Sequence, residues 1–581
     1  MNVILGINAF HADSAACLLV DGILIGAIAE ERLGNRIKHS SEFPGNAIRR
    51  LLESAGLRLK DVTHLAIARD TNANLVNKIE YVLRSPISSA GAVREFFNRK
   101  ESAKTIEQLV AQTLDEDVIN CRFQVVNVEH HLAHIASAYY LSPYDSLTAG
   151  FSYDGSGDFA SMMAARCEGN KIKILDRVAL PNSMGFFYTA LCQFIGFEKF
   201  GEEYKVMGLA PYGKDEYQDE MKVLIKEKSE GWFSLNSKYF EMHRGGVSGL
   251  MNDSCAINVE KIYTSKLIEL LGPARKREEE LTQRDKNIAR STQVRFEEIS
   301  VHCINRLADL IPSNNLVMAG GCALNGVTNA RLLKDTPFKS QFIQPASSDD
   351  GTCLGAAYYT WHQILGNTTR FEMKHAFWGP KYSDFLIEKI AKKAKYAVHQ
   401  CQDDQELVER AARMIKDGLV VGWYQGDSEW GPRALGNRSI LADPTNSNMK
   451  DIINSKIKRR ESFRPFAPSV LKEDVDLYFE QHVDSPFMMH VVRIREEWRG
   501  RLPAVTHVDG TGRLQTVDST SNFLYHKLIS QFKRLSGVGI LLNTSFNENE
   551  PVVDTPEQAY ACFVRTEMDS LCMGKYIFTK T

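Results

Sequence analysis

Two histidines four residues apart open the chemistry of this sequence. In Glu129-His130-His131-Leu132-Ala133-His134, His130 and His134 stand at i and i+4. On a helix that spacing sets both imidazoles on one face, where they can share an ion. A divalent ion needs an anionic complement, and Asp154 and Asp349 each close an apolar, strand-like run. Nitrogen and carboxylate donors suit Fe(II), Mn(II) or Zn(II), and donor type alone does not choose among them. A short H-x-x-x-H is also met as a pair of structural histidines, so the pair by itself does not define a metal centre. His131 reads as the helix's spectator.

A second chemistry is written in cations. Lys456, Lys458, Arg459, Arg460 and Arg464 fall within nine residues, followed by Pro465-Phe-Ala-Pro468. Guanidinium forks grip phosphate oxygens in pairs and lysine adds a point charge, so the cluster suits a pocket for several phosphates. The plainer reading is a solvated basic helix end. Trp430-Gly-Pro-Arg433-Ala-Leu-Gly-Asn-Arg438-Ser439 adds rigid turns and cations. Leu541-Leu-Asn543-Thr-Ser545-Phe-Asn547 is a strand that ends in amides and hydroxyls, fit either to bind a ligand or to cap a turn.

Three glycine-bearing segments are candidates for nucleotide contact. Asp154-Gly155-Ser-Gly157-Asp158 lies between two strands, where a hairpin can offer backbone N–H groups. Gly320-Gly321-Cys-Ala-Leu-Asn325 follows a strand and opens a helix, whose N-terminus would face phosphates. Gly201-Glu-Glu-Tyr-Lys205-Val-Met-Gly208 is less specific. None is a Walker loop or a dinucleotide fingerprint.

The elements that must position these residues alternate strand and helix. Strands are expected at Val3–Ile7, Ala15–Val20 and Ile23–Ala29, the last two joined by an Asp21-Gly22 hairpin turn. Further strands are expected at 62–68, 123–128, 147–153, 315–318, 419–424 and 466–471. Helices are expected at 43–56, 129–141, 404–416 and through 265–312. The charged region 74–120 reads as helical. Alternation of this kind indicates an α/β protein. No internal repeat is visible in the sequence.

At 581 residues the chain exceeds one ordinary core. The stretch 365–380 is the best linker candidate. A 44% hydrophobic and 24% charged composition is that of a soluble globular protein. A net charge of −2 gives no electrostatic reason to expect nucleic acid or a membrane as partner. Eleven cysteines are scattered without a C-x-x-C pair, which reads as reduced thiols in a cytoplasmic enzyme. The apolar N-terminus reads as a first strand rather than a targeting segment.

The order of the motifs carries more than each motif. The series runs from Leu5-Gly-Ile-Asn-Ala-Phe-His11, Ala29-Glu-Glu-Arg32 and Lys38-His39 through the histidine pair, Asp154-Gly-Ser-Gly-Asp158 and Lys205-Val-Met-Gly-Leu-Ala-Pro-Tyr212. It continues with Gly320-Gly-Cys-Ala-Leu-Asn325, Asp349-Asp-Gly351, Gly431-Pro-Arg-Ala-Leu-Gly-Asn-Arg-Ser439, Arg464-Pro-Phe-Ala-Pro468 and Leu542-Asn-Thr-Ser-Phe-Asn547. This series, spanning nearly the whole chain, resembles the O-carbamoyltransferases of antibiotic and nodulation-factor synthesis.

The resemblance implies an N-terminal actin-like ATPase domain with a duplicated βα core over 1–365, similar to the tRNA threonylcarbamoyltransferase. A YrdC-like α/β domain over 375–581 would follow. It further implies that carbamoyl phosphate and ATP, with Mg(II), give carbamoyladenylate in the second domain. The intermediate then passes through the protein to an acceptor hydroxyl at the metal-bearing domain. Carried over by motif, the metal ligands are His130, His134, Asp154 and Asp349, the last preferred over Asp350, with Fe(II) first and Mn(II) or Zn(II) behind it. The activating pocket takes Lys458, Arg464, Arg513, Asn543 and Ser545, of which Arg513 is the least firmly patterned. Gly155, Gly157, Lys205, Gly320, Gly321, Asn325, Arg433 and Arg438 are the nucleotide candidates. His11 or His39 is the candidate acceptor-side base. The acceptor is a small-molecule hydroxyl; aminoglycosides, macrolides, ansamycins, lipo-oligosaccharides and guanidinium alkaloids all belong to the implied range. Its specificity is expected within 74–120 and 214–280, and a homo-oligomer is left open.

Three rival functions fit the sequence less well. Transfer to tRNA finds no basic face in the sequence. The hydrogenase-maturation carbamoyltransferases carry an acylphosphatase-like N-terminus and paired C-x-x-C motifs, neither found here. A non-catalytic nucleotide-binding regulator would not need every presumed ligand type.

Overall fold

The computed structural model describes residues 1–9, 11–84, 106–241, 250–251, 257–461 and 463–580. The expected helix through 74–120 and the stretch 214–280 lie partly outside the described residues. The chain divides into two compact units, Met1–Met373 and Lys374–Thr581.

The first unit is a duplicated core. Strands β1 (Val3–Asn8), β2 (Ala15–Val20), β3 (Ile23–Ala29), β4 (His64–Ile67) and β5 (Gln124–Asn127) form a sheet of order β3-β2-β1-β4-β5. β1, β2 and β3 are antiparallel, while β4 and β5 run parallel to β1. Strands β6 (Thr148–Gly157), β7 (Ala160–Glu168), β8 (Lys171–Ala179), β9 (Asn315–Ala319) and β10 (Ser340–Ile343) repeat the pattern as β8-β7-β6-β9-β10. Again three strands form an antiparallel meander and two are parallel additions. The repeat is one of topology, which is why the residues alone did not display it.

Alternation along β1 decides what each sheet face covers. Val3, Leu5 and Ile7 join Ile48, Leu51 and Leu52 of helix α1 (Gly45–Ala55) in one buried cluster. Each such side chain contributes about 1.5–3 kcal/mol by leaving water. The opposite face, at Gly6 and Cys17, meets Cys353 and Ala357. Those two belong to a second buried helix, Thr352–Tyr359. Helix α2 (His130–Tyr139) is buried at all ten positions. It lies between the second sheet, where Ile135 meets Gly150, and the Thr352–Tyr359 helix, where Ala133 meets Gly355. That place buries the helix on every side, its three histidines included.

The second unit is built on one nine-stranded mixed sheet. Its strands are β11 (Ala397–Gln400), β12 (Val421–Tyr424), β13 (Arg438–Ala442), β14 (Ala467–Leu471), β15 (His490–Arg493), β16 (Thr511–Val517), β17 (Ile540–Ser545), β18 (Ser570–Met573) and β19 (Tyr576–Thr579), in the order β11-β19-β18-β12-β13-β17-β14-β16-β15. The register sets Ser545 beside Ser439, Asn543 beside Ala467, and Gln515 beside Ser469.

One sequence expectation changes. Asp154–Gly157 runs on as strand, and the turn falls at Asp158 and Phe159, both with positive φ. The glycine-bearing segment 201–208, a candidate for nucleotide contact, leads into a short helix, Tyr204–Leu209.

Candidate active site

The histidine pair stands where the two halves of the first core meet. The first turn of α2 is pinned by two carboxylates: Leu132 N–H donates to Glu129 Oε2 at 3.1 Å, and His130 N–H to Asp158 Oδ2 at 2.9 Å. Acidic groups at a helix N-terminus also favour its exposed amides. A Cβ at Gly157 would overlap the His130 ring, so only glycine leaves that imidazole its place. Gly320, with φ +99°, turns back against the Tyr153 backbone, and Gly321 packs behind Asp154. These two glycines thus support a presumed ligand.

The four presumed ligands converge. One donor atom each from His130, His134, Asp154 and Asp349 lies within 4.8 Å of all the others. His134 Nε2 is 3.1 Å from His130 Nε2, 3.2 Å from Asp154 Oδ2 and 3.5 Å from Asp349 Oδ1. His130 Nε2 is 3.4 Å from Asp349 Oδ1 and 4.0 Å from Asp154 Oδ2. Ligands bound at about 2.1 Å to a tetrahedral centre stand about 3.4 Å apart. Asp154 Oδ2 is buried and makes no hydrogen bond. The donor set, its spacing and that orphaned oxygen fit a divalent cation.

A second group of ligand types, His399, Cys401 and Glu406, behaves differently. Glu406 accepts from His399 at 2.7 Å, Arg410 at 2.8 Å and the Gln402 N–H at 2.8 Å. It satisfies itself and asks for no ion.

Electrostatics follow the same geometry. Burial opposes charge throughout the first cluster, yet the carboxylates hold His130 well above the usual imidazole range, and the imidazoles hold Asp154 and Asp349 low. His131 is pushed down to about 3 by burial and by its two neighbours, and its Nδ1 is engaged with Ser152 Oγ at 2.9 Å.

Around this cluster lies an outer layer. His11 Nδ1 meets Asp349 Oδ2, and its ring centroid is 5.0 Å from that of His130. Asp13 accepts from Ser348 Oγ at 2.6 Å and pairs with His39 Nδ1 at 2.7 Å. Burial lowers the His39 pKa, but Asp13, then Glu31 and Glu203, carry it up to about 9. At neutral pH His39 is therefore a charged donor, which disqualifies it as a resting base. Asp13 was not singled out in the sequence, because an aspartate in a polar turn carries no signal of its own.

The remaining candidates of this unit have their own partners. Lys205 pairs with Glu202 at 2.8 Å and lies over the Phe197 ring. Asn325 caps the helix after it through Thr328 N–H and exchanges hydrogen bonds with Gln293. Gly155 packs against Phe186 and Gly185.

The second unit gathers arginines. Arg513 is depressed by burial and by the charges of Arg433, Arg464 and Arg460 together, and its Nε is buried without a hydrogen bond. Arginine charges that crowd one another in this way suit a site for a polyanion. Asn543 Nδ2 donates to Ala434 O, Ser469 Oγ and Gln515 Oε1 at 3.0–3.1 Å, while its Oδ1 is buried without a partner. Lys458 Nζ is held by Ser545 O, Asn547 O and Asn547 Oδ1 at 2.6–2.8 Å, with Ser545 Oγ at 3.3 Å. Arg438 differs from the other cations. It is fully buried over the Tyr424 ring, and it donates to the carbonyls of Gln425, Gly426 and Asn437. It holds a turn rather than facing an anion.

The pattern of the Carbamoyltransferase N-terminus family matches residues 3–358, and that of the Carbamoyltransferase C-terminus family matches residues 412–580. The chain belongs to the carbamoyltransferase family. Nodulation protein NolNO of Sinorhizobium fredii is 37% identical over 99% of this chain and 80% of its own length. Uncharacterized protein sll1178 of Synechocystis is 38% identical over 100% of this chain and 97% of its own. The 3'-hydroxymethylcephem-O-carbamoyltransferase of Amycolatopsis lactamdurans is 36% identical over 40% of this chain and 42% of its own. Among solved structures, full-length HypF in its phosphate- and nucleotide-bound form overlaps 63% of this chain and 47% of its own at 16% identity and a TM-score of 0.32. Such a distant likeness adds nothing to the topology described above. This carbamoyltransferase keeps its buried ligand cluster within the N-terminal match and its arginine cluster within the C-terminal one.

Proposed function

We propose that this carbamoyltransferase is ATP-dependent and works in two half-reactions, one in each unit, delivering the carbamoyl group to a hydroxyl of a small-molecule natural product. The observation that supports this reading is the pair of built sites with opposite requirements: a buried histidine–carboxylate set in the first unit and a gathered set of arginines in the second.

In the second unit carbamoyl phosphate is hydrolysed to carbamate and phosphate. A carbamate oxygen then attacks the α-phosphorus of ATP, which travels with Mg(II), and pyrophosphate leaves with the electrons of the broken P–O bond. The product is carbamoyladenylate. Arg433, Arg460, Arg464 and Arg513 bind and orient the phosphates. Lys458, held by β17 and the turn after it, keeps Ser545 and Asn547 in place. Carbamate is a poor acyl donor and adenylation gives it a good leaving group.

In the first unit the acceptor hydroxyl attacks the carbamoyl carbon, and AMP departs with the electron pair of the broken C–O bond. His11 takes the hydroxyl proton: its Nδ1 is engaged by Asp349, which leaves Nε2 as the accepting atom. His39, charged through Asp13, orients rather than accepts. His130, His134, Asp154 and Asp349 would hold a divalent cation, Fe(II) first and Mn(II) or Zn(II) next, which would supply Lewis acidity toward the carbamoyl oxygen. The names of relatives are in keeping with this acceptor class, since one acts on a hydroxymethylcephem and another belongs to nodulation.

The test is pyrophosphate release from ATP with and without carbamoyl phosphate, with mass spectrometry for carbamoyladenylate. Release that requires carbamoyl phosphate, with the adenylate present, is expected. ATP split to ADP regardless of carbamoyl phosphate would remove the two-site mechanism.

A further inference from the structure

Glu429 stands outside every motif that chemistry singled out. It follows the turn after β12 and is 4% exposed. One of its oxygens, Oε1, accepts three backbone N–H groups: Leu435 at 2.8 Å, Asn437 at 2.9 Å and Arg438 at 3.0 Å. Three amides converge on one atom only because the segment between them folds back on itself. Gly431 and Gly436 allow this, with φ of +96° and +110°, and a Cβ at Gly436 would overlap the Tyr525 ring. The segment so gathered, Gly431 to Arg438, carries Arg433. Its neighbouring carbonyls are used as well, Ala434 O by Asn543 and Leu435 O by Gln515 at 2.8 Å. The other oxygen, Oε2, is buried and has no hydrogen-bond partner.

The charge of Arg433 bears on Arg513, as do those of Arg464 and Arg460. Without the Glu429 contacts the loop would be held by its carbonyls at Ala434 and Leu435 and by Gly436 N–H on Ser439 Oγ, and the Arg433 segment would sample more conformations before a phosphate arrived. The cost of ordering the loop would then be taken from substrate binding. We propose that Glu429 is the positioning residue of the activating site: its carboxylate gathers the loop so that Arg433 stands among the other arginines before substrate binds. The proposal rests on the reading of the second unit as the carbamoyl-phosphate and ATP site.

A residue that pre-orders a binding loop changes KM more than kcat, whereas a residue that merely supports the fold lowers the amount of active protein at unchanged KM. Two variants of the full chain separate these roles. Glu429→Ala removes the acceptor. Glu429→Gln keeps an oxygen for the same three amides and removes the charge. Each is measured for carbamoyl-phosphate-dependent pyrophosphate release, and for amide hydrogen exchange over 434–438 with β17 as the folding control.

Glu429→Ala is expected to raise the KM for carbamoyl phosphate about tenfold or more, with kcat within about threefold. Its amides at 435, 437 and 438 lose protection while β17 keeps its own. Glu429→Gln is expected to restore both KM and protection. The proposal is overturned if Glu429→Ala leaves KM and protection as they were, or if Glu429→Gln is as impaired as Glu429→Ala. Should the unaltered protein release no pyrophosphate with carbamoyl phosphate, the activating reading fails. Amide protection and the affinity for inorganic pyrophosphate then decide the positioning role: both must fall in Glu429→Ala and return in Glu429→Gln, or the role is refuted.

Discussion

The two candidate sites solve opposite electrostatic problems in opposite ways. In the first unit, imidazoles and carboxylates are packed together on regular elements. His130 and His134 lie on a helix buried at every position, Asp154 lies in strand β6, and Asp349 opens the turn before a buried helix. In the second unit, the arginines come from a gathered loop, from the basic segment before β14 and from strand β16. A cation site tolerates displacements of tenths of an ångström, so its ligands need stiff supports. Arginines reach phosphates with long, adaptable side chains, so loops suffice if something holds them. Each site nonetheless leans on carboxylates that accept backbone N–H groups, Glu129 and Asp158 for the start of α2 and Glu429 for the arginine loop.

The comparison breaks most visibly if the sites are not separable. Replacing His130 by alanine should lower transfer from preformed carbamoyladenylate to an acceptor hydroxyl by at least about 100-fold, beyond what loss of an outer residue costs. AMP release measured with added adenylate checks this. In the second unit Arg513→Ala should reduce kcat/KM for pyrophosphate release by about 10- to 100-fold, the worth of a hydrogen bond to a charged group. The divalent metal content of the protein should not change, and elemental analysis of the variant reads it directly. A smaller effect is expected of Gly157→Ala. Its methyl group must displace the His130 ring, so metal affinity should fall about tenfold in a titration while pyrophosphate release is kept.

The smallest effect sharpens the role of the outer layer. His39 is raised to about 9 by Asp13, Glu31 and Glu203 against the pull of burial. A histidine raised on folding contributes stability that is full below its ordinary pKa and is lost as pH climbs through the folded value. The protein should therefore lose part of its thermal stability between about pH 7 and 9. In Asp13→Asn that part of the decline should shrink. Melting curves across this range that are parallel for the two proteins would contradict the assignment.

Much of the first site was legible because its chemistry is local. The i, i+4 spacing of His130 and His134 needs only a helix, and the strands that end near Asp154 and Asp349 announce themselves through β-branched and apolar runs. The duplication was legible only through the family resemblance and not in the residues themselves, since two sheets can share an order of strands while sharing no residues in sequence. Arg438 misled for a related reason: a cation in a glycine-rich turn reads as a ligand group, yet burial turned it to backbone carbonyls. Glu429 and Asp13 left no trace in the sequence, because what they do depends on amides and side chains brought to them by the fold. Arg513 was the least patterned of the activating residues, and alternation with Gln515 along β16 is the signal that points to its face.

The central claim is that activation and transfer are carried by different units, and one measurement reaches it without knowing the acceptor. His134→Ala is mixed in stoichiometric amount with ATP, carbamoyl phosphate and Mg(II), and pyrophosphate and carbamoyladenylate are followed through a single turnover. The account predicts a rate of adenylate formation within about twofold of the unaltered protein. Loss of adenylate formation in that variant, with the protein folded, would contradict it.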